Sequence, residues 1–209
     1  MAGIGFRQSM AEAQASISTP VTVTAFKTVH CSATELQQLK VASAEALRLL
    51  QTSRSQAHFI RWFGDSRSDP LLWAEVHRLH EYGRRYAIEG LVHFSTLARS
   101  GSLPNGYVKI LPDNITFDCK GQLSGPVAHN SGPNTGTVFL DYTFWSLHET
   151  RLNSNRISMA STIIHELTHL AGTVVDVNPS FEFALDLARL FPSAAVWNAN
   201  NHEWYYYGL

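Results

Sequence analysis

The segment His-Glu-Leu-Thr-His, from His165 to His169, has the residue types and spacing of a zinc site. Two histidines four positions apart lie on one face of a helix, about one turn from each other, so their imidazoles can bind the same ion. Glu166 follows the first histidine, where its carboxylate can take a proton from a zinc-bound water. Zinc also polarises a carbonyl group, so the segment predicts metal-assisted hydrolysis.

The residues around this segment favour a helix. Apolar side chains recur at helical spacing: Met159, Ile163, Ile164, Leu167 and Leu170. They predict a helix over residues 156–171 with one buried side, for which Asn153 or Asn155 could provide the N-cap. The alternative is a helix whose histidines merely flank the core. The apolar pattern around both histidines favours the metal site.

A catalytic zinc ion needs a third protein ligand and keeps one position open for water or substrate. The downstream candidates are Asp176, Glu182, Asp186 and the pair His202 and Glu203. Gly172 can end the zinc helix and return the chain across it, which would deliver Asp176 to the metal. From the residues alone, a solvated loop aspartate is the more common case.

Helical patterns dominate the sequence before and after this site. Ser32 and Glu35 have capping-box spacing and begin a long helix with an apolar stripe. A second helix is expected at Gln56–Phe63, and Pro70 can open a third that continues towards Leu97. Downstream of the zinc helix, helical spacing predicts further helices at 181–191 and 193–203.

A small sheet is expected in the middle of the chain. Between Gly101 and Tyr142, Gly, Pro and Asn separate short β-prone pieces at 107–111, 115–119 and Thr137–Leu140. The predicted fold class is therefore α+β and mainly helical, with a small antiparallel or mixed sheet and an active-site helix that carries the histidines; with the His-Glu-x-x-His segment, this arrangement resembles a zincin-like metallopeptidase.

The length of 209 residues suits one domain with a sizeable core. Residues 1–30 contain few large apolar side chains, apart from one alternating stretch at 21–26 that could form a strand, and we interpret them as an N-terminal arm or linker. The zinc metallopeptidase domain is expected to cover residues 31–209.

Composition excludes several classes of partner. The formal net charge of −1 provides no field that would attract nucleic acid, and no apolar run approaches the roughly 20 residues that span a bilayer. The first residues also lack the basic start and apolar stretch of a secretory signal. We expect a monomer that binds a protein or peptide substrate, with no nucleic acid and no membrane among its partners.

Cys31 and Cys119 are the only cysteines, so one intramolecular bridge is possible and a cysteine-rich metal cluster is not. From their spacing alone, two buried free thiols are as reasonable as a disulfide.

The motifs together resemble the aspzincins, a family that includes deuterolysin and the fungal peptidyl-Lys metalloendopeptidases. Its pattern is His-Glu-x-x-His followed by a Gly-Thr segment that ends in a zinc-binding aspartate; this chain has HELTH and then GTVVD. The likeness implies that His165, His169 and Asp176 bind one Zn²⁺ ion and that Glu166 is the general base. The family usually has one residue fewer between the threonine and the aspartate.

The likeness covers about residues 31–206. Its other pieces occur in the family's order: Cys31-Ser32, Trp62-Phe63-Gly64, Phe117-Asp118-Cys119, Phe144-Trp145, and Asn198-Ala199-Asn200-Asn201-His202-Glu203. Lysine-selective members place an aspartate and a glutamate in this last piece to receive the substrate's ammonium group. The resemblance therefore implies that Glu203 and Asn200 bind substrate, with a basic residue at P1′, although Asn200 carries no charge.

Two further departures concern the oxyanion and the disulfides. Where the family has a tyrosine that steadies the oxyanion, this chain has Pro179, which can donate no hydrogen bond. Another donor, such as one of the three tyrosines at 205–207, would have to serve, or the transition state is stabilised less. Of the family's two disulfides, the resemblance implies one in this chain, between Cys31 and Cys119. Gly121 and Asp141 stand near the places of the cysteines that form the second disulfide. A disulfide favours a secreted or extracytoplasmic location.

Zincins generally bind the substrate backbone along an edge strand upstream of the zinc helix. Thr137–Leu140 is placed to be that strand, because an unpaired edge is a template for an extended peptide. A strand paired on both sides is the alternative.

Three functions agree with these residues. The first is a zinc endopeptidase. The second is a secreted toxin or effector hydrolase that acts on cell-wall peptides. The third is a zinc-binding module without turnover, which Pro179 favours.

Overall fold

The computed structural model describes residues 27–92, 115–121, 127–130, 136–171, 176–177 and 180–209. The expected strands at 21–26 and 107–111, the end of the third helix beyond residue 92, and Gly172 and Pro179 lie outside these residues.

The described residues form four short strands and seven α-helices. The strands are β1 (Lys27–Val29), β2 (Thr116–Asp118), β3 (Ala128–Asn130) and β4 (Thr137–Leu140). The helices are α1 (Ala33–Gln51), α2 (Gln56–Phe63), α3 (Pro70–Val92), α4 (Met159–Leu170), α5 (Phe181–Leu190), α6 (Pro192–Ala195) and α7 (Ala199–Tyr207). The mainly helical α+β fold with a small mixed sheet is thus confirmed. None of these helices has the length and apolar character needed to span a bilayer.

The sheet has the order β1-β2-β4-β3, with β3 antiparallel to β4 and the other pairs parallel. The expectation that Thr137–Leu140 forms the edge is wrong, because β4 is hydrogen-bonded on both sides. The outer strand of the described sheet on this side is β3, which comes from a segment that the sequence did not identify as a strand. At the opposite side β1 lies in the stretch interpreted as an arm, and it pairs with β2.

The beginning of α1 follows the prediction closely. The Ser32 hydroxyl accepts a hydrogen bond from the Glu35 backbone, and the Glu35 carboxylate accepts one from the Ser32 backbone at 2.7 Å. Cys31 precedes this capping box and forms a disulfide with Cys119, 88 positions later. The bond that the resemblance implied is confirmed, and it joins the start of α1 to the end of β2.

The two positions assigned to the missing disulfide are also neighbours. A Cβ atom added to Gly121 would lie 2.1 Å from the Asp141 Oδ1 atom. Asp141 is 1% exposed and its other oxygen lies 2.7 Å from the His129 Nδ1 atom. A buried carboxylate and a half-buried histidine therefore occupy this place.

The zinc helix α4 lies at the centre of the helical layer and packs against α1, α3 and α7. Its apolar residues are buried as the helical pattern requires. The expected cap is wrong, because Ser158 caps the helix and its hydroxyl accepts from the Ser161 backbone. Asn153 instead binds the backbone amides of Asn155 and Ile157 in the preceding loop.

The final helix is divided, whereas the sequence predicted one helix over 193–203. α6 ends at Ala195, and α7 begins after the N-cap residue Asn198. The buried Asn201 amide donates to the carbonyl oxygens of Trp62 and Ala184 and accepts from the Asn198 side chain. These bonds attach α7 to α2 and α5.

A pair of buried histidines comes from α3 and α7. The rings of His80 and His202 stack with centroids 5.5 Å apart, and His202 Nε2 donates to the Val196 carbonyl oxygen at 2.9 Å. Burial lowers the pKa of His80, and it lowers the pKa of His202 to about 4. Both imidazoles are therefore neutral at pH 7 in the folded protein.

This pair should make folding less stable in acid. An unfolded histidine binds a proton near pH 6.5, so the contribution of His202 is complete above that pH and is lost as the pH falls towards 4. We expect a loss of about 3 kcal/mol in the free energy of unfolding across this window. Urea unfolding between pH 7 and 4.5, in the presence of a chelator, measures it. His202→Gln can still donate to Val196 and should flatten the slope; an unchanged slope would contradict the assignment.

Candidate metal centre

Helix α4 and the chain beyond its end bring three potential metal ligands together. His165 and His169 project from α4, and Asp176 lies beyond the end of that helix. The Nε2 atoms of the two histidines are 3.0 Å apart. The Asp176 carboxylate oxygens lie 3.1 Å from His165 Nε2 and 3.3 Å from His169 Nε2.

These distances fit a single zinc ion. Ligand atoms placed tetrahedrally at about 2.1 Å from zinc lie about 3.4 Å from each other. Two imidazole nitrogens and one carboxylate are also a known donor set for catalytic zinc, which keeps a fourth position open. The donor chemistry and the separations therefore both suit the ion that the sequence suggested.

The other candidates for the third ligand have different partners. Glu182 is 78% exposed and lies 4.0 Å from Arg156, while Asp186 pairs with Arg189. His202 binds a backbone carbonyl in the core. Glu203 contacts His165 at Nδ1, whereas the structure brings Asp176 to the Nε2 atoms of both histidines.

The electrostatics of the cluster favour a positive charge. Burial would lower the pKa of His165, but hydrogen bonds with Asp176 and Glu203 outweigh it and raise that pKa well above the ordinary value. Partial burial would raise the pKa of Asp176, but its hydrogen bonds with His165 and His169 lower it far below the ordinary value. A carboxylate that remains ionised beside two imidazoles suits the binding of a cation.

Glu166 lies on the same helix and is 4% exposed. Its Oε2 atom accepts a hydrogen bond from the Asn130 Nδ2 atom at 3.1 Å. Asn130 is the last residue of β3, so the outer strand contacts the candidate general base directly. Asn130 could not be found from the sequence, because a short Ala-His-Asn strand has no alternating apolar pattern that would reveal it.

The two residues expected to bind substrate both reach this centre from α7. Asn200 Nδ2 donates to Asp176 Oδ1 at 3.3 Å, and Glu203 Oε2 lies 3.2 Å from His165 Nδ1. Both side chains are almost fully buried. Each therefore contacts a candidate metal ligand; their role towards substrate stays a prediction.

Two of the neighbouring tyrosines use their hydroxyl groups in hydrogen bonds within the protein. Tyr206 bonds to His80, and Tyr207 bonds to Ser158 and to the Thr150 carbonyl oxygen. Tyr205 is buried among aromatic rings of α2 and α3. The structure therefore gives no support to a tyrosine of this group as the oxyanion donor in place of the family's tyrosine.

Comparison with known proteins agrees with this geometry. Residues 102–207 match the family described as lysine-specific metallo-endopeptidase, the aspzincins. A peptidyl-Lys metalloendopeptidase of Pleurotus ostreatus is 29% identical over 187 residues, which are 85% of this chain and 94% of the relative. A peptidyl-Lys metalloendopeptidase of Grifola frondosa is 33% identical over 94 residues, or 44% of this chain; the match spans only 26% of that relative.

A solved structure is similar over the same extent. The zinc peptidase from Grifola frondosa superposes with a TM-score of 0.59 and 25% sequence identity, and the match covers 84% of this chain and 96% of that one. The family match, which includes both histidines, Glu166 and Asp176, covers about half of the chain. The chain belongs to the aspzincin family of zinc metalloendopeptidases.

Proposed function

We propose that this chain hydrolyses internal peptide bonds of a protein or peptide substrate, using one zinc ion and Glu166. The observation that carries the proposal is the convergence of His165 Nε2, His169 Nε2 and the Asp176 carboxylate. The buried Glu166 follows His165 directly in the sequence. When bound there, zinc would polarise both a water molecule and the scissile carbonyl group.

The protein's own groups would handle the proton. Glu166 accepts the proton of the attacking water and passes it to the nitrogen of the leaving group. Asn130 holds its Oε2 atom at 3.1 Å, which fixes the orientation of the carboxylate while Oε1 remains an acceptor. Because Glu166 is buried, bulk water does not compete strongly for this transfer.

We place the substrate backbone along β3. This strand is one of the two outer strands of the described sheet, and Asn130 at its end contacts Glu166. An extended peptide could add to such an edge through backbone hydrogen bonds, which would bring its carbonyl group near the metal. The proposed substrate strand is therefore β3, the antiparallel neighbour of β4, and not β4 itself as expected from the sequence.

Digestion of a proteome-derived peptide mixture, read by mass spectrometry, tests the activity. We expect internal cuts that stop when a chelator is added and return when zinc is restored. A parallel incubation with peptidoglycan would reveal release of cell-wall peptides if the alternative toxin-like hydrolase were correct. Zinc binding without a cut in either material would contradict the proposal and indicate a binding module.

We further propose a preference for lysine at P1′. It is supported by the names of the two curated relatives and by the buried Glu203 carboxylate, whose Oε1 atom has no hydrogen-bond partner among the described residues. Asn200 lies one helical turn earlier and provides an amide where the resemblance expects a second carboxylate.

Asn200→Asp should strengthen this preference by adding a second negative charge beside Glu203. We expect the ratio of kcat/KM values for peptides with lysine and norleucine at P1′ to rise about tenfold, which corresponds to about 1.4 kcal/mol. Asn155→Asp, which adds the same charge at an exposed position, is the matched control. Because the change also removes the amide that donates to Asp176 Oδ1, all proteins are assayed with zinc fully bound, and a ratio that then stays constant or falls in Asn200→Asp would rule out a cation pocket at this place.

We also propose that the protein works outside the cytosol. The Cys31–Cys119 disulfide supports this, since such bonds persist mainly in oxidising compartments. Immunodetection in culture medium and in cell lysate tests it, and confinement to the cytosol would contradict it.

A further inference from the structure

The side of α7 that faces the metal centre contacts two different ligands. Glu203 Oε2 lies 3.2 Å from Nδ1 of His165, whose Nε2 atom faces His169 and Asp176. An imidazole whose Nε2 atom binds a metal carries its proton on Nδ1. His165 Nδ1 therefore donates to Glu203, and this bond fixes both the tautomer and the angle of the ring.

The contact between Glu203 and His165 is important because both side chains are largely buried. The side chains of Glu203 and His165 are 4% and 13% exposed. A buried carboxylate is costly unless hydrogen bonds or a positive charge compensate it. Among the described residues the hydrogen-bond partner of Glu203 is His165, so the compensation depends on the Nδ1–H group of this imidazole and on the positive charge that a proton or a cation at Nε2 gives it.

Asn200 makes a corresponding contact with Asp176. Its Nδ2 atom donates to Oδ1 at 3.3 Å, and its own side chain is buried. Asp176 is 50% exposed and lies beyond the end of α4, so the helix does not fix its orientation by itself. The Asn200 amide restrains one carboxylate oxygen against free rotation.

We propose that Glu203 and Asn200 are positioning residues of the metal centre, which act on zinc affinity through His165 and Asp176. This role rests on the proposed function only in that it takes His165 and Asp176 as zinc ligands. It differs from substrate binding, since it predicts an effect in the absence of any substrate. Hydrogen bonds to ligating residues commonly change metal affinity by about 10- to 100-fold.

The test is zinc affinity, measured by competition with a chromophoric chelator in the absence of substrate. Glu203→Ala removes the acceptor and should weaken zinc binding by about 10- to 100-fold. Glu203→Gln keeps a carbonyl acceptor without the charge, so its loss should be smaller. Asn200→Ala should cause a loss of up to about tenfold, because Asp176 is more accessible to water. Glu182→Gln changes an exposed carboxylate and should leave zinc affinity unchanged.

Circular dichroism and thermal unfolding of the zinc-free proteins show whether each variant is folded, and Glu203→Gln preserves shape if Glu203→Ala does not fold. Zinc affinities of both folded Glu203 variants within about twofold of the original protein would overturn the role of Glu203, and the same result for Asn200→Ala would overturn that of Asn200. A protein that binds zinc with the expected order of affinities but cuts no peptide would refute the proposed peptidase while supporting these positioning roles.

Discussion

Glu166→Gln should lower kcat for peptide hydrolysis by about 10²- to 10⁴-fold without reducing the zinc content of the protein. Glutamine has nearly the shape of glutamate but cannot accept the proton of the attacking water. Its carbonyl oxygen can still accept the hydrogen bond from Asn130, so the local structure should persist. The proposed zinc ligands His165, His169 and Asp176 are unchanged, so the ion should stay bound.

A fluorogenic peptide assay and metal analysis by mass spectrometry, made on the same preparation, measure both quantities. Glu182→Gln provides an isosteric control on an exposed carboxylate and should retain full activity and full zinc content. If zinc-loaded Glu166→Gln kept more than about a tenth of the original kcat, general base catalysis by Glu166 would be refuted.

Replacing both Cys31 and Cys119 by serine should lower the free energy of unfolding by about 2 to 4 kcal/mol. The disulfide closes a loop between residues 88 positions apart, so its removal gives the unfolded chain much additional conformational freedom. For a chain of this length each kcal/mol corresponds to about 2 to 4 °C in Tm.

Guanidinium unfolding of the double variant measures this effect. Reduction of the original protein should reproduce the same destabilisation, which separates loss of the bond from any effect of the serine side chains. A change below about 0.5 kcal/mol, which is within the usual range of surface substitutions, would show that the loop is restrained by other contacts.

Those features that depend on local geometry could be predicted from the sequence. The spacing of His165 and His169 gave one helical face, and the capping box at Ser32 gave the start of α1. Both depend on residues within one or two turns of each other. The family resemblance added the longer-range pairing of Cys31 with Cys119, which spacing alone left undecided.

Features that depend on distant partners could not be predicted in the same way. β3 became the outer strand because it pairs with β4, and nothing in its three residues indicates that pairing. Asn130 meets Glu166 across 36 positions of sequence for the same reason. The helix break before Asn198 was missed because helical spacing continues through it.

The assignment of Glu203 shows how resemblance and geometry contribute differently. The resemblance identified it as part of the site through the segment that ends at Glu203, where lysine-selective members have carboxylates. The structure adds that one carboxylate oxygen is already used by His165. A residue type can thus be carried over between relatives while its nearest contact is known only from the fold.

Asn201 has a consequence for the angular setting of α7. One step of helical rotation is about 100°, so a slip by a single residue would carry Glu203 and Asn200 away from His165 and Asp176. Apolar contacts are not directional, and several rotations of a helix could bury similar area. The Asn201 amide donates to carbonyl oxygens of both α2 and α5, which only one rotation satisfies. A buried polar side chain outside the metal centre thus selects the rotation of α7 that places Glu203 and Asn200 beside His165 and Asp176.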